Sequence, residues 1–551
     1  MEASVPTSVS ETHKPGRLKR SVGFYGLMFV SLGSIIGSGW LLGALKAAQV
    51  AGPASILSWL LAAAMLSLLA LTYAELGAAY PVAGGGARVS YYSHGPIAGF
   101  TAGWAAWLQA VFIAPIEVLA AITYVNSTET VHSHFNMLDD AGLLNGTGLV
   151  VAIILMMVFT AINLAGAKFL SESNAFVVIW KTLVPFLAVV VVAGVQFKPE
   201  NFHAGDGGFM PFGFHGVFAA LTGGVVFALQ GFEQAVQLAG EARNPKRDLS
   251  RAILTAMAIG AVLYTLLQVV MIGGLDPANL LHGWAKPLGT APSAYGAWYT
   301  LALALGLGWL AKMLLVDAII SPAGTGVIYV GTSARLSYAL GEEREMPSAL
   351  ARTNAKGVPV VSILVAAVIG CVAFGPFKSW KDLVDVVTGT TAIMYAFAPV
   401  SLAALHKLDP DRPRSYRVPM PKLVLPAAFC SANLIIYWSG FDTTWKLVLA
   451  MVVGLALFAV GAVRARTISS LQAKSAMWIV PWFLGHVVLG ALGRYGDGYE
   501  VLPNWVDLVV VIGFSLTIYY LAVRMTLSAA DSAAAVAKDA LQLDYTEAPP
   551  A

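Results

Sequence analysis

The chain has 551 residues, 58% of them hydrophobic and 11% charged, with a formal net charge of +3 and a mean hydropathy of +0.73. A soluble domain carries roughly 25% charged residues, so 33 bases and 30 acids are too few to coat one of this size, which excludes a soluble enzyme and a disordered scaffold. The two cysteines, Cys371 and Cys430, lie in apolar runs, and no disulfide framework is expected.

A helix of about 20 apolar residues crosses a hydrocarbon core of about 30 Å. Residues 22–45, 53–79, 96–125, 148–166 and 175–195 meet that length, as do 215–240, 252–275, 297–334, 358–377 and 383–406. Runs at 423–440, 445–463, 476–493 and 505–524 follow. The expectation is an all-α polytopic membrane protein with about 14 transmembrane helices. The first run follows a polar stretch without a small-residue cleavage site, so it reads as a span and not as a cleaved signal. The bases divide unevenly between the two sides: 24 inside, six outside, and Lys46, Lys181 and Lys312 within or at the ends of spans. The inside set includes Lys14, Arg17, Lys19, Arg20, Lys168, Arg344, Lys356 and Arg466. This bias predicts that both termini are cytoplasmic. Residues 526–551, rich in Ala and ending Glu-Ala-Pro-Pro-Ala, read as a solvated tail, unstructured or loosely helical.

Two spans are interrupted by glycine and polar residues near mid-membrane. The first reads Gly33-Ser-Ile-Ile-Gly37-Ser-Gly39-Trp40; the sixth reads Gly223-Gly224-Val-Val-Phe227-Ala-Leu-Gln230-Gly231-Phe232-Glu233. Glycine lowers the cost of leaving helical geometry, and irregular backbone at membrane depth persists only where protein or a cavity satisfies it. The interruptions lie five spans apart, which gives the second unit the opposite orientation. A matched pair of this kind points to a transporter binding site, whereas a single one is as well explained by close helix packing. A half-helix beginning after Gly39 offers free N–H groups and a positive dipole end to a carboxylate. Half-helices ending near Ile35 and Leu229 offer carbonyls to an ammonium.

The run Gly33–Gly43 resembles the first span of permeases of the amino acid–polyamine–organocation superfamily. Tyr73-Ala-Glu-Leu-Gly with Tyr80-Pro-Val-Ala-Gly-Gly85 resembles the end of their second span, and Gly95-Pro-Ile-Ala-Gly-Phe-Thr-Ala-Gly-Trp104 the start of their third. Gly231-Phe-Glu with Gly240-Glu-Ala-Arg-Asn-Pro-Lys-Arg-Asp-Leu249 is similar to their sixth-span exit. Ser333-Ala-Arg-Leu-Ser-Tyr-Ala-Leu, Met346-Pro347 and Gly357-Val-Pro-Val360 are similar to their link from span eight to nine. Gly-Ser-Gly-Trp40, Pro115-Ile-Glu117 and the span count look most like the aspartate/glutamate:proton symporter branch. The resemblance implies a five-plus-five inverted repeat with helices 1 and 6 unwound. It divides the chain into a cytoplasmic tail (1–21), a first repeat (22–195), a second repeat (215–406), four additional helices (423–524) and a cytoplasmic tail (525–551).

The same resemblance implies substrate contacts. Ser38 and Gly39, next to Gly37, would hold the carboxylate, and backbone oxygens of Ile35, Phe227 and Gln230, next to Gly231, would hold the amine. Phe227 matches the aromatic that closes over substrate, and Tyr329 a second gating aromatic. A charge at mid-bilayer costs about 2.5–3.5 kcal/mol on insertion scales, which singles out Lys181. It matches the lysine that stands where sodium-coupled relatives hold their ion, and is a candidate proton carrier or a fixed structural ammonium, with Ser321 its candidate partner. Glu233 matches a span-six acid used in pH-dependent gating, the alternative being a hydrogen-bonded role. Glu117 is a proton site or the partner of a basic group. Lys312 is either a contact for an acidic substrate side chain or a snorkelling lysine, Asp317 is a poor intrahelical partner for it, and Glu75 is structural. No His-Glu-x-x-His or Walker-type motif occurs, and neither a metal nor a cofactor is implied. The expected activity is import of an amino acid with protons across the cell membrane; exchange of amino acid for amino acid or amine, and a non-transporting sensor, are the alternatives.

Overall fold

The computed structural model of the protein describes residues 22–544 apart from 83, 166, 206, 281–282, 290–295, 343–344, 355–357, 466–471 and 504. The N-terminal tail with Lys14, Arg17, Lys19 and Arg20 lies outside the described residues, as do Arg344, Lys356, Gly357, Arg466, the side chain of Lys168 and residues 545–551.

Among the described residues the regular elements are helical, and strand pairing is limited to two isolated bridges, Val22 with Ala242 and Leu138 with Leu144. Eleven helices are long and apolar enough to cross a membrane, with Ser38–Ala79 taken as one, and shorter apolar helices cover Phe24–Ile35, Gly213–Leu229 and Val360–Ala373. The elements used below are α1 (Phe24–Ile35), α2 (Ser38–Ala51), α3 (Ser55–Ala79), α4 (Gly85–Asn126), α5 (Gly146–Ala165) and α6 (Ala167–Val195). They continue with α7 (Gly213–Ala220), α8 (Val226–Leu229), α9 (Gln234–Gln237), α10 (Pro245–Gly274), α11 (Ala297–Ala304), α12 (Gly308–Glu342) and α13 (Val360–Ala373). The last are α14 (Trp380–Leu408), α15 (Pro421–Trp438), α16 (Phe441–Ala465), α17 (Ile479–Leu492), α18 (Val506–Arg524) and α19 (Ala529–Asp544).

Burial sorts these helices into a centre and a rim. The apolar windows of α4 and α14 are 89% and 94% buried, whereas those of α5 and α16 are 33% and 28% buried. The rim helices turn Val150, Ile154, Leu449, Val452, Val480 and Leu484 outward, an apolar surface too continuous for water. Exposed Trp309, Trp445 and Trp505 stand near helix starts, where an indole suits the boundary between lipid and water. The centre, α4 with α12 and α14 alongside, holds the polar residues considered below.

Two sequence readings change. The run 297–334 is not one span: α11 stops at Ala304 and α12 begins at Gly308. Leu307 N–H donates to Ala302 O at 2.8 Å across Gly306, whose φ of +72° is the left-handed conformation of a helix C-cap. The apolar residues continue through this cap, so hydropathy does not register it. Within the run read as tail, α19 is a docked helix. Tyr92 Oη donates to Asp539 Oδ2 at 2.5 Å, Arg88 Nε lies 3.6 Å from the same oxygen, and Leu527 N–H donates to Ser93 O. Ser532 and Asp539 are buried. Loss of this anchor should cost the docked helix about 1–2 kcal/mol. Asp539→Ala should therefore speed limited proteolysis within 525–544 by roughly 5- to 30-fold, read by gel and mass spectrometry against the wild type.

Candidate functional site

The first apolar run is interrupted where its glycines lie. In an unbroken helix Gly37 N–H would donate to Gly33 O; here it turns to Ile35 O at 3.2 Å, and the helix restarts at Ser38. The second interruption follows Leu229. Gln230 is extended (φ −74°, ψ 163°), and Gly231 takes φ +110°. A side chain is excluded at Gly231, since its Cβ would sit 2.9 Å from the carbonyl carbon and Cβ of Ser34. The two breaks therefore lie against each other, joined by Ser31 Oγ donating to Phe232 O at 2.8 Å.

A break leaves backbone groups without helical partners, and side chains from four other helices take them. Lys181 Nζ of α6 donates to Gly33 O at 2.6 Å and to Thr325 Oγ1 of α12 at 2.6 Å. Tyr264 Oη of α10 donates to Ile35 O at 2.9 Å, and Thr325 Oγ1 lies 3.4 Å from Ile36 O. Ser38 N–H, at the start of α2, donates to Glu117 Oε2 of α4 at 2.8 Å, and Ser38 Oγ to Oε1 at 3.2 Å. The partner of Lys181 on α12 is thus Thr325, not Ser321, whose hydroxyl donates instead to Asp317 Oδ1 at 2.8 Å. Thr325 is one helical turn from Ser321, a register that counting along the sequence could not resolve.

Between the breaks lies a small cavity of ≈ 10 Å³. Ile35, Gly37 and Gly39 line it from the first break, Phe227 and Gln230 from the second, Glu117 from α4 and Tyr329 from α12. Ser34, Ile113 and Thr325 complete the wall; Ser34 belongs to the interrupted run of the first span, whereas nothing in the sequence context of Ile113 and Thr325 distinguishes them from core residues. Ser38, Gly231, Lys181 and Glu233 are not in the wall. Ser38 and Lys181 stand directly behind it through their bonds to Glu117 and Thr325. A Cβ at Gly37 would meet Glu117 Oε1 at 2.7 Å and Thr325 Oγ1 at 3.0 Å, so this carboxylate and the lysine-bound hydroxyl converge on one point.

The polar balance of the wall is uneven. Phe227 meets the indole of Trp380 edge-on at 5.7 Å, and that indole donates to Ser38 Oγ at 3.0 Å. Gln230 Nε2 and Oε1 and Tyr329 Oη are buried without hydrogen-bond partners. Glu233 is in the opposite condition. Its carboxylate accepts from Tyr395 Oη (2.6 Å), Gly231 N–H (3.0 Å), Gln234 Nε2 (3.2 Å) and Gln109 Nε2 (3.4 Å), and these four neutral donors pin the second break. Lys312 is exposed, away from the cavity. Glu75 is enclosed by His406 (2.6 Å), Arg414 (3.2 Å) and Val418 N–H (2.6 Å), tying α3 to α14 and the loop that follows it.

The chain matches the family model for amino acid permeases over residues 22–458. It is 32% identical to the glutamate/serine transporter AimA of Bacillus subtilis (strain 168), over 92% of this chain and 94% of that protein. It is 34% identical to the aspartate-proton symporter of the same organism, over 92% and 96%. Similarity extends to the branched-chain amino acid permease BcaP of that organism, at 25% over 83% and 96%.

Thr325→Val keeps the volume of the side chain and removes one acceptor of the buried ammonium. It should lower stability by about 1–3 kcal/mol, whereas Thr325→Ser should stay near the wild type; thermal unfolding of the purified protein checks both.

Proposed function

The chain belongs to the amino acid permease family, a family of membrane transporters and not of enzymes, and from that premise we propose that it imports amino acids with polar side chains, aspartate and glutamate among them, together with protons across the cell membrane. On this reading α1 and α2 are one broken span, and the whole makes fourteen spans in a five-plus-five inverted repeat followed by four further helices. The inward bias of Lys and Arg supports cytoplasmic termini.

The observation that carries the proposal is the occupancy of the α2 N-terminus. A helix start binds a carboxylate through its free N–H groups and dipole, and here the carboxylate is Glu117, bonded to Ser38. A substrate carboxylate at the same N–H groups displaces Glu117. Displaced into a buried setting, Glu117 takes a proton instead of keeping an uncompensated charge. Substrate and proton then bind together, which is symport. Lys181 keeps the first break in register and supplies the charge against which Glu117 titrates. The carbonyl of Ile35 accepts from Tyr264 Oη and, over a longer bond, from Gly37 N–H; the substrate amine displaces the Gly37 bond there and is met also by the Phe227 and Gln230 carbonyls.

Side-chain preference follows from Gln230 and Tyr329. Leaving a buried amide or hydroxyl unpartnered costs about 1–3 kcal/mol; a carboxylate or hydroxyl on the substrate satisfies them and an aliphatic chain does not. The names of the two relatives above 30% identity, a glutamate/serine transporter and an aspartate-proton symporter, agree with a polar substrate.

Proteoliposomes given labelled aspartate should accumulate it only under an inward proton gradient. Uptake that ignores the gradient but requires internal amino acid would establish exchange instead. Lys181→Met should abolish accumulation. Gln230→Leu should raise uptake of leucine relative to aspartate by about tenfold, the size expected for one buried polar contact; an unchanged ratio would remove Gln230 from substrate selection.

A further inference from the structure

Asp317 is a buried acid that neither that cycle nor, among the described residues, a structural ion pair uses. Asp317 lies one turn before Ser321 and two turns before Thr325 on α12, so the three share one face of the helix over about 12 Å. At one end of this stripe Thr325 holds Lys181. At the other, Asp317 Oδ2 accepts from Trp40 Nε1 of α2 at 3.1 Å, and Oδ1 from Ser321 Oγ at 2.8 Å. Trp40 is held in turn, its carbonyl accepting from Trp298 Nε1 of α11 at 3.0 Å. The indole N–H of Trp180, the neighbour of Lys181, is buried without a bond of its own and faces the same carboxylate.

Every direct donor to Asp317 is neutral. Of the ionisable groups that face it, α6 contributes Lys181 and α4 contributes Tyr124, whose hydroxyl is engaged by Tyr299 N–H at 2.9 Å. Lys312, on its own helix, is exposed. Among the described residues no cation lies within ion-pair distance of Asp317. Lys181 thus stands between two carboxylates, Glu117 and Asp317, each within electrostatic reach, and all three are at most 1% exposed. Two carboxylates and one ammonium are neutral only when one carboxylate carries a proton, and a net charge at this depth is strongly disfavoured. Glu117 accepts from Ser38 and Asp317 from Trp40 and Ser321, so that proton is shared between the two carboxylates, and Asp317 is one of its two seats.

We propose that Asp317 is a second proton-carrying residue of the transport cycle, the donor that recharges Lys181. When substrate displaces Glu117, a proton leaves Lys181 Nζ for the Glu117 carboxylate. Asp317 then gives its proton to the neutral amine along the Ser321–Thr325 face. The resulting Asp317 carboxylate is paired in charge by the restored ammonium and is reprotonated from the side of Trp40 and α11, which the proposed topology places outside. The inference rests on the symport reading above.

Asp317→Asn keeps the volume and an acceptor for Trp40, with Ser321 Oγ turning to accept from the new amide, but it holds no transferable proton. In proteoliposomes, proton-driven accumulation of aspartate by Asp317→Asn should fall at least tenfold, while counterflow of labelled for unlabelled aspartate, which needs no net proton movement, should fall far less. Asp317→Glu should restore accumulation, as a purely structural role would not allow. Asp317→Asn that accumulates like the wild type, or a folded Asp317→Asn that loses counterflow and accumulation equally, would overturn the proposal. If Asp317→Asn does not fold, wild type and Asp317→Glu are compared: an unchanged pH profile of uptake would overturn it and a displaced one would support it. Wild-type protein that exchanges but ignores the gradient would instead overturn the symport reading itself.

Discussion

The site depends on how the first helix break is satisfied. Interrupting a helix at membrane depth frees carbonyls and N–H groups that no water can reach, each costly to leave unmet. Here the freed groups are met from outside the broken strand of chain: Gly33 O by Lys181, Ile35 O by Tyr264, Ser38 N–H by Glu117. One cation, one phenol and one carboxylate from three helices, α6, α10 and α4, converge on six residues of backbone, Gly33 to Ser38. Removing the break would strand all three side chains, and removing any of the three would strand the break. This mutual requirement explains why buried charge persists in a chain so poor in it.

The second break is satisfied by different means, and the contrast separates their roles. Glu233 collects four neutral donors, two of them from its own segment, Gly231 N–H and Gln234. A carboxylate so enclosed is a fixed strut, whereas the carboxylate of Glu117 has a bonded partner on one side and the cavity on the other. Phe227 and Gln230 stand on the cavity side of this strut. The second break thus presents apolar and unpartnered polar surface to the cavity, and the first presents charge.

Much of this was readable before the fold was known, for a physical reason. Hydropathy registers length in lipid, and glycine with polar residues at mid-span registers a break, so Ile35, Gly37, Gly39, Phe227, Gln230 and Tyr329 could be assigned to one site from sequence pattern and family resemblance, whereas Glu117 could not be placed there. What escaped was register between helices. Thr325 and Ser321 are the same chemistry one turn apart, and only packing against α6 decides which meets Lys181. The placement of Glu117 on Ser38 joins residues 79 positions apart, which no local pattern encodes. The cap at Gly306 hid inside an unbroken apolar run, and α19 looked like tail because its buried acid Asp539 is recognised by a tyrosine far away in the chain.

The use of internal partners also bears on affinity. A carrier must release what it binds, so substrate binding cannot rest on a large net gain. On the proposed function, a substrate carboxylate that replaces Glu117 at the start of α2 exchanges one charge-assisted hydrogen bond for another of like kind, and the net change is small compared with creating such a bond from nothing. On that reading the selectivity is left to contacts with no internal substitute, foremost the amide of Gln230. Contacts common to all amino acids are thereby weakened by competition with the protein's own side chains, and contacts peculiar to one side chain are not. A carrier built this way discriminates among substrates more strongly than it retains them, and the competing carboxylate is also the group through which a proton enters the exchange.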